Sequence, residues 1–157
     1  MAADRQDLAG RLGARWSPPE EALTATADIL VPAATGGLLT AAVVDRLSCR
    51  VIAGPANNQL DDPVTGDLLH ARGILWAPDT VVSAGGVVYA TAVEIDQVPH
   101  DDAVHRVHQI ARRLDDVLTT AQQHHLSPAA AARQLAHRRL RGPAAGERDV
   151  GQGAAIH

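Results

Sequence analysis

The sequence predicts an α/β fold in which a parallel sheet is followed by C-terminal helices. Three short apolar runs, at residues 28–31, 50–53 and 74–76, alternate with segments of helical pattern. Each run leads into a loop rich in proline, glycine or asparagine, and apolar residues then recur at helical spacing through residues 101–125. A β-α-β-α-β order implies parallel strands joined by right-handed crossovers, so the loops that follow the strands should meet at one sheet edge.

The segment before the first strand is predicted to contain three elements. Asp4 to Leu12 has a helical pattern that Gly13 is placed to end. Ala14 to Trp16 is predicted to form a short strand. Ser17 should then cap a turn of helix that has proline in its first turn.

The two helices between the strands carry recognisable start and stop residues. Thr40 is expected to cap a helix over residues 41–47, because a threonine side chain can accept a hydrogen bond from the first helical turn. An aspartate and a proline, Asp62 and Pro63, begin a second helix over residues 64–72, and Gly73 ends it.

After the third strand the chain is predicted to be helical. Apolar spacing predicts helices over residues 87–94 and 101–125, and a serine-proline pair begins a last helix over residues 129–141. Residues 142–157 are small and polar, so we expect a disordered tail. The length suits one domain with a moderate core, which we place at residues 1–141.

Composition and charge narrow the classes of partner. A net charge of −4 gives no basic field for nucleic acid, and Arg138, Arg139 and Arg141 are interpreted as complementing a helix C-terminus. One cysteine, Cys49, rules out an intrachain disulfide and is predicted to be a small buried residue. Without a long apolar run or a signal pattern, the sequence predicts a cytoplasmic protein that has no membrane or nucleic-acid partner.

A metal site is the alternative interpretation of the eight histidines. His105 and His108 share a helix face in the predicted long helix, and other histidines lie nearby in sequence. No cysteine or carboxylate completes a recognisable ligand spacing, so we expect solvated helix histidines and no metal.

The loop from Ala53 to Leu60 is the first candidate for ligand binding. It reads A-G-P-A-N-N-Q-L and follows a predicted buried strand. Asn57, Asn58 and Gln59 offer uncharged donors and acceptors where ligands bind in open α/β sheets. The alternative is a structural turn, since asparagine tolerates left-handed backbone and caps helices.

Three strand ends together carry a family resemblance. Four motifs carry it: D-I-L-V-P-A-A-T-G-G, C-R-V-I-A-G-P-A-N-N-Q-L, G-D-L-L-H-A-R-G-I-L-W-A-P-D and A-G-G-V-V. Together they resemble the cofactor-binding domain of the leucine, valine and phenylalanine dehydrogenases, which share a superfamily with glutamate dehydrogenase. The resemblance covers about Asp28 to Leu140. It implies a partial Rossmann-like, doubly wound parallel sheet, NAD as cofactor, and oxidative deamination of a branched-chain or other apolar L-amino acid to a 2-oxo acid and ammonia.

The same resemblance assigns cofactor contacts to the strand-end loops. Ala33 and Ala34 match a loop that contacts the adenosine and nicotinamide riboses, although a tight strand-to-loop transition would also explain them. Asn57 and Asn58 match asparagines that touch the nicotinamide ribose and the substrate carboxylate. Ser83 stands where the family usually has an asparagine near the nicotinamide carboxamide, and it offers one hydroxyl in place of an amide.

Two residues of the predicted helix after Gly86 match the family's substrate side-chain pocket. Val87 and Ala90 lie three positions apart on one helix face, and Ala90 is smaller than the usual valine, which would leave more room. They would serve equally well as simple core residues.

Several parts that the resemblance implies are not found in the sequence. The family has a substrate domain, catalytic lysines and aspartate, and a G-x-G-x-x-G turn that holds the pyrophosphate. The only similar string here, Gly151 to Gly153, lacks the third glycine. Asp4 is the nearest candidate for the acidic residue that binds the adenosine ribose in the family, but we do not assign it to that role. We therefore expect a fragment that is inactive alone and needs a substrate domain or another copy of the chain. A non-catalytic subunit-binding or regulatory module, or an inert gene remnant, is the alternative.

Overall fold

The computed structural model describes residues 2–141 and, from Asp4 onward, their side chains. The predicted tail at residues 142–157 lies outside these described residues. In chain order the elements are α1 (Ala2–Arg11), α2 (Pro19–Leu23), β1 (Ile29–Leu30), α3 (Ala41–Val44), β2 (Val51–Ile52), α4 (Pro63–Ala71), β3 (Leu75–Trp76), α5 (Asp79–Val82), α6 (Gly85–Ala90), a π-helical segment (Thr91–Ile95), α7 (His100–His124) and α8 (Pro128–Arg141).

The three strands form one parallel sheet in the order β1-β2-β3. Ile29, Val51 and Leu75 are aligned across the sheet, and the residue after each of them is aligned in the same way. Beyond the strands, Leu39 and Leu60 form a further parallel bridge. The predicted parallel α/β sheet with C-terminal helices is confirmed.

The two faces of the sheet differ in burial. Leu30, Ile52 and Trp76 belong to the main core, which also contains apolar residues of α3 and α4 and the beginning of α8. On the opposite face, Ile29 is 57% exposed and Leu75 is 40% exposed. Parallel strands are normally covered on both faces, so the second face is open within the described part of the chain.

Predicted helix boundaries are confirmed where a side chain or a glycine sets them. Thr40 Oγ1 accepts a hydrogen bond from the backbone N–H of Val43 at 3.2 Å. Asp62 Oδ1 accepts one from the N–H of Val64 at 2.8 Å. Gly73 follows α4 with φ +69°, a conformation that glycine adopts without steric cost.

Other expectations about the elements are wrong. Residues 14–16 form no strand, because no described strand lies beside them to supply hydrogen bonds. Ser17 does not cap α2, since Pro18 occupies the capping position and makes no side-chain hydrogen bond there. The helix expected over residues 41–47 ends at Val44.

The C-terminal half is helical, as predicted, but it contains unpredicted local structure. The four-residue helix α5 lies in the loop after β3, and the helix that begins at Gly85 becomes π-helical from Thr91 to Ile95. Helix α7 packs on α5, α6 and α8, with Val117, Ala121 and Ala131 forming a second apolar core. None of the described helices has the length and apolar character that crossing a bilayer requires.

Candidate functional site

Two strand-end loops lie side by side at the carboxyl edge of the sheet. Loop 1 comprises residues 32–38 and loop 2 comprises residues 53–60. The backbone N–H of Ala56 donates to the carbonyl oxygen of Pro32 at 3.0 Å, and that of Gly37 donates to the carbonyl oxygen of Asn58 at 2.7 Å. These bonds fix the backbone that carries the asparagine pair.

Glycines allow the two loops to approach this closely. A Cβ atom on Gly54 would lie 2.2 Å from the carbonyl oxygen of Pro32, and one on Gly36 would lie 2.7 Å from the carbonyl oxygens of Asn57 and Asn58. Since both contacts are with backbone atoms, no side-chain rotation could relieve them. Glycine is therefore required at both positions for the observed loop packing.

A fully buried amide, Gln59, holds loop 2 from inside. Its Nε2 donates to the carbonyl oxygens of Gly54 and Ala56 at 2.8 and 2.9 Å. Its Oε1 accepts a hydrogen bond from Trp76 Nε1 at 3.0 Å. Every polar atom of this side chain has a partner, as a buried amide requires.

A buried carboxylate, Asp79, connects loop 2 to the segment after β3, which we call loop 3 (residues 77–84). Asp79 Oδ2 accepts from the backbone N–H of Gln59 at 2.7 Å, and Oδ1 accepts from that of Thr80 at 2.6 Å. Gln59 was expected to face a ligand together with Asn57 and Asn58, but the structure buries it, and Asp79 was not among the predicted site residues. A polar residue placed among apolar residues just after a predicted strand was the available signal.

Two of the predicted site residues, Asn57 and Ser83, are brought together by this arrangement. The Ser83 hydroxyl oxygen lies 2.7 Å from Asn57 Oδ1 and 2.6 Å from the carbonyl oxygen of Asp79. A hydroxyl has one hydrogen to donate, so Ser83 donates to one of these two oxygens at a time. Asn57 Oδ1 and the backbone carbonyl oxygen of Asp79 thus share one donor.

The neighbouring asparagine, Asn58, adopts a different backbone conformation. Its φ is +52°, in the left-handed region that asparagine tolerates better than most residues. Its side chain is exposed and lies at the edge of a cleft described below. The turn and ligand interpretations of this loop are thus compatible, since the turn presents the amide to solvent.

The remaining predicted site residues lie around this centre. Ala33 and Ala34 are exposed on loop 1, next to loop 2. On α6, Val87 is 65% exposed and Ala90 is half-buried. Val87 is therefore a surface residue in this structure, free to contact a ligand or another polypeptide.

A cleft of about 560 Å³ lies beside Asn58, between the start of α4, α5, α7 and α8. We call it the helical cleft. Trp76 and Pro78 line its sheet side, and Ile110, Val117 and Leu135 line its helix side. Asn57, Ser83, Val87 and Ala90 do not line it, so it is largely separate from the contact between Asn57 and Ser83.

The chemistry of the strand-end loops is that of binding and orientation. Their accessible polar side chains are uncharged amides and hydroxyls, while both oxygens of the buried Asp79 accept backbone N–H groups. Within residues 2–141, no group of three or more histidine, cysteine or acidic side chains could hold a metal. Away from the loops, burial raises the pKa of the Cys49 thiol, although its backbone hydrogen bond and Arg72 act in the opposite direction.

Comparison with known proteins identifies the family. The family model of the glutamate/leucine/phenylalanine/valine dehydrogenases matches residues 5–144, which is most of the chain. The chain belongs to this amino acid dehydrogenase family. The resemblance stated from the strand-end motifs is confirmed.

Individual relatives match in sequence and in fold. Leucine dehydrogenase of Geobacillus stearothermophilus is 34% identical over 128 residues, which are 82% of this chain and 35% of that protein. Valine dehydrogenase of Streptomyces albus is 38% identical over 113 residues, or 72% of this chain and 31% of that protein. The crystal structure of L-tryptophan dehydrogenase from Nostoc punctiforme superposes with a TM-score of 0.79 at 30% identity, covering 88% of this chain and 42% of that one.

This amino acid dehydrogenase chain thus spans about a third of the length of the curated relatives it matches. Its match to the family extends upstream of β1, to residue 5, beyond the region of Asp28 to Leu140 in which the motifs were found. The Nostoc structure covers most of the chain and has the same fold, in agreement with the predicted α/β class.

Proposed function

We propose that this chain supplies the nicotinamide side of an NAD-dependent L-amino acid dehydrogenase for a branched-chain or other apolar substrate. The observation that carries the proposal is the contact between Asn57 and Ser83 at the carboxyl edge of the sheet, with the exposed amide of Asn58 beside it. Bound NAD would supply the hydride acceptor for the substrate Cα, and water would convert the resulting imine to a 2-oxo acid and ammonia.

The described residues fit one end of NAD. A nicotinamide carboxamide and ribose hydroxyls need uncharged donors and acceptors, which Asn57, Asn58 and Ser83 offer. The small side chains of Ala33 and Ala34 would allow a ribose to approach loop 1. The described residues offer no comparable site for the pyrophosphate of NAD, because no described strand is followed by a G-x-G-x-x-G turn that begins a helix.

The substrate side chain is proposed to contact α6. Val87 offers an exposed apolar surface there, and Ala90 occupies the same side of the helix one turn later. Asn58 would orient the substrate carboxylate by donating a hydrogen bond. An apolar surface of valine and alanine favours an apolar substrate side chain over a charged one, because a charge lying against it would find no polar partner there.

Proton transfer and substrate charge neutralisation require groups from elsewhere. The sequence contains no lysine, and the exposed polar groups of the strand-end loops are uncharged. We therefore propose a separate substrate domain as the source of these groups, with a second copy of the chain as a further partner, and expect no turnover by the chain alone. The open sheet face around Ile29 and Leu75 supports such a partner, and the lone unpaired Cys49 accords with a cytoplasmic location.

A non-catalytic role is the second candidate function. The same open face favours a subunit-binding or regulatory module, because Ile29, Val31 and Leu75 present exposed apolar surface whether or not NAD binds. An inert gene remnant would share that exposed face but would bind neither NAD nor a partner.

Ligand-observed NMR with NADH tests the cofactor proposal. We expect saturation transfer from the purified chain to the nicotinamide and its ribose, with little transfer to other parts of the ligand. Asn57→Ala should abolish that transfer and Ser83→Asn should increase it, whereas Gln122→Ala, an exposed amide on α7, should change nothing. The absence of nicotinamide signals in the unmodified chain would reject cofactor binding and leave the non-catalytic candidate.

A turnover assay tests the need for a partner. The chain is mixed with NAD and L-leucine, L-valine or L-tryptophan, and NADH absorbance is followed. We expect no increase. Measurable turnover that remains with the chromatographic peak of the chain would show that it carries its own catalytic groups.

A further inference from the structure

The helical cleft has the size and lining of a small-molecule site. Its volume of about 560 Å³ falls within the ~300–1,000 Å³ typical of ligand pockets. Its inner surface is apolar and comes from three directions: Trp76 from the sheet, Val81 and Val88 from the short helices, and Ile110 and Leu135 from α7 and α8. An apolar ligand body would therefore be enclosed on several sides.

Three arginines also line the cleft. Arg113 lies on α7, and Arg133 and Arg139 lie on α8; all three are exposed. Among the described residues, none of the three guanidinium groups makes an ion pair or a hydrogen bond. Three cationic side chains thus line one apolar cleft, and none of them forms an ion pair within residues 2–141.

The acidic residue in the cleft lining does not neutralise these arginines. Asp79 is buried, and its two carboxylate oxygens already accept N–H groups from Gln59 and Thr80. Three guanidinium groups against one engaged carboxylate leave the cleft with an excess of positive charge. A guanidinium offers two parallel N–H donors, a geometry that matches a carboxylate or a phosphate.

We propose that the helical cleft binds a small amphipathic anion, with its apolar body on the floor and its carboxylate or phosphate at Arg113, Arg133 and Arg139. The site is distinct from the Asn57–Ser83 contact and does not depend on NAD binding. Because Arg113 belongs to α7 and the other two arginines belong to α8, the bound anion bridges the two helices. Ligand binding therefore stabilises the pairing of α7 with α8.

The chemical class is tested with simple probes on the full chain. Octanoate combines an apolar alkyl chain with a carboxylate, and octyl phosphate combines such a chain with a phosphate. Octylammonium combines the chain with a positive charge, and acetate carries the carboxylate without a long chain. Thermal melts followed by circular dichroism should shift upward with octanoate or octyl phosphate and should not shift with octylammonium or acetate. The stronger of the two anions identifies the head group, and equal shifts with octanoate and octylammonium would overturn the proposal.

Variants locate the site. Arg113→Gln and Arg139→Gln should each weaken binding of the preferred anion by about tenfold, the effect of losing one charge-assisted contact. The matched controls are Arg112→Gln and Arg138→Gln, exposed arginines on the same two helices that do not line the cleft. Equal losses in the controls would show a general charge effect and reject the site.

A second measurement does not depend on the stability of any variant. In ¹H–¹⁵N spectra of the unmodified chain, octanoate or octyl phosphate should shift the amide signals of Val81, Val88 and Leu135, and should leave those of Ala33 and Ala34 in place. Shifts confined to loop 1 would overturn the proposal. Because no nucleotide is present, this result is independent of whether the chain binds NAD.

Discussion

Replacing Gln59 with leucine tests whether this buried amide holds the strand-end loops in place. Leucine is close to glutamine in size, so Gln59→Leu removes three hydrogen bonds without leaving a large cavity. The former partners are the carbonyl oxygens of Gly54 and Ala56 and the Nε1–H of Trp76, all in buried residues. Each buried polar group left without a partner costs about 1–3 kcal/mol.

The lower limit of that range gives a loss of about 3 kcal/mol in the free energy of unfolding. A domain of this size is typically stable by only ~5–15 kcal/mol, so the loss is a large fraction of the total. The corresponding decrease in Tm is about 6–12 °C. Gln59→Leu should also weaken any ligand binding at Asn57 and Asn58, because the loop that carries them loses its internal support.

Urea unfolding followed by tryptophan fluorescence measures the effect. Trp76 is buried in the core and should give most of the signal change, whereas Trp16 is already 39% exposed. Gln123→Leu, an exposed amide on α7, is the matched control and should change stability by less than about 0.5 kcal/mol. A loss for Gln59→Leu below about 1 kcal/mol, or equal to that of the control, would refute the assigned role of Gln59.

Three further predictions concern backbone packing, burial and helix capping. Gly54→Ala should destabilise the fold by about 2 kcal/mol or more, because its Cβ would lie 2.2 Å from the Pro32 carbonyl oxygen. Gly86→Ala is the control and should not destabilise it, since a Cβ there would have no atom within 4 Å. Equal urea midpoints for the two variants would contradict this prediction. Since burial raises the folded-state pKa of Cys49, its contribution to stability should be complete below the unfolded thiol pKa and lost as pH rises from about 8 through the folded value. Cys49→Ala should lack that part of the alkaline decline, and parallel pH profiles of the two proteins would count against it. Asp62→Ala should cost about 1 kcal/mol by removing the cap of α4, and Asp62→Asn should retain most of that stability in the same urea assay.

Elements with a local cause were predictable from the sequence. Thr40 and Asp62 cap the helices they were expected to cap, because capping joins a side chain to a backbone N–H two or three residues away. The prediction of a strand at residues 14–16 was wrong because strand formation depends on distant residues. A strand needs a hydrogen-bonding neighbour, and a short sequence pattern does not show whether one is present.

The candidate site was only partly predictable. Asn57 and Ser83 were selected through family motifs, but their contact joins positions 26 residues apart and depends on how loop 3 folds over loop 2. Gln59, next to the asparagine pair, looked equally polar in the sequence. The structure buries it completely against Trp76 while leaving Asn58 exposed.

The sequence by itself determined the order of the three strands and of the helices between them, the loops that follow the strands, and the family to which these motifs belong. These features follow from short-range sterics, hydrogen bonding and apolar spacing, all of which depend on residues that are close together in the sequence. Only the tertiary structure decided that one sheet face is left open by residues 2–141 and that arginines of α7 and α8 line an apolar cleft. Burial and charge proximity depend on which distant segments pack together, and no local pattern fixes that.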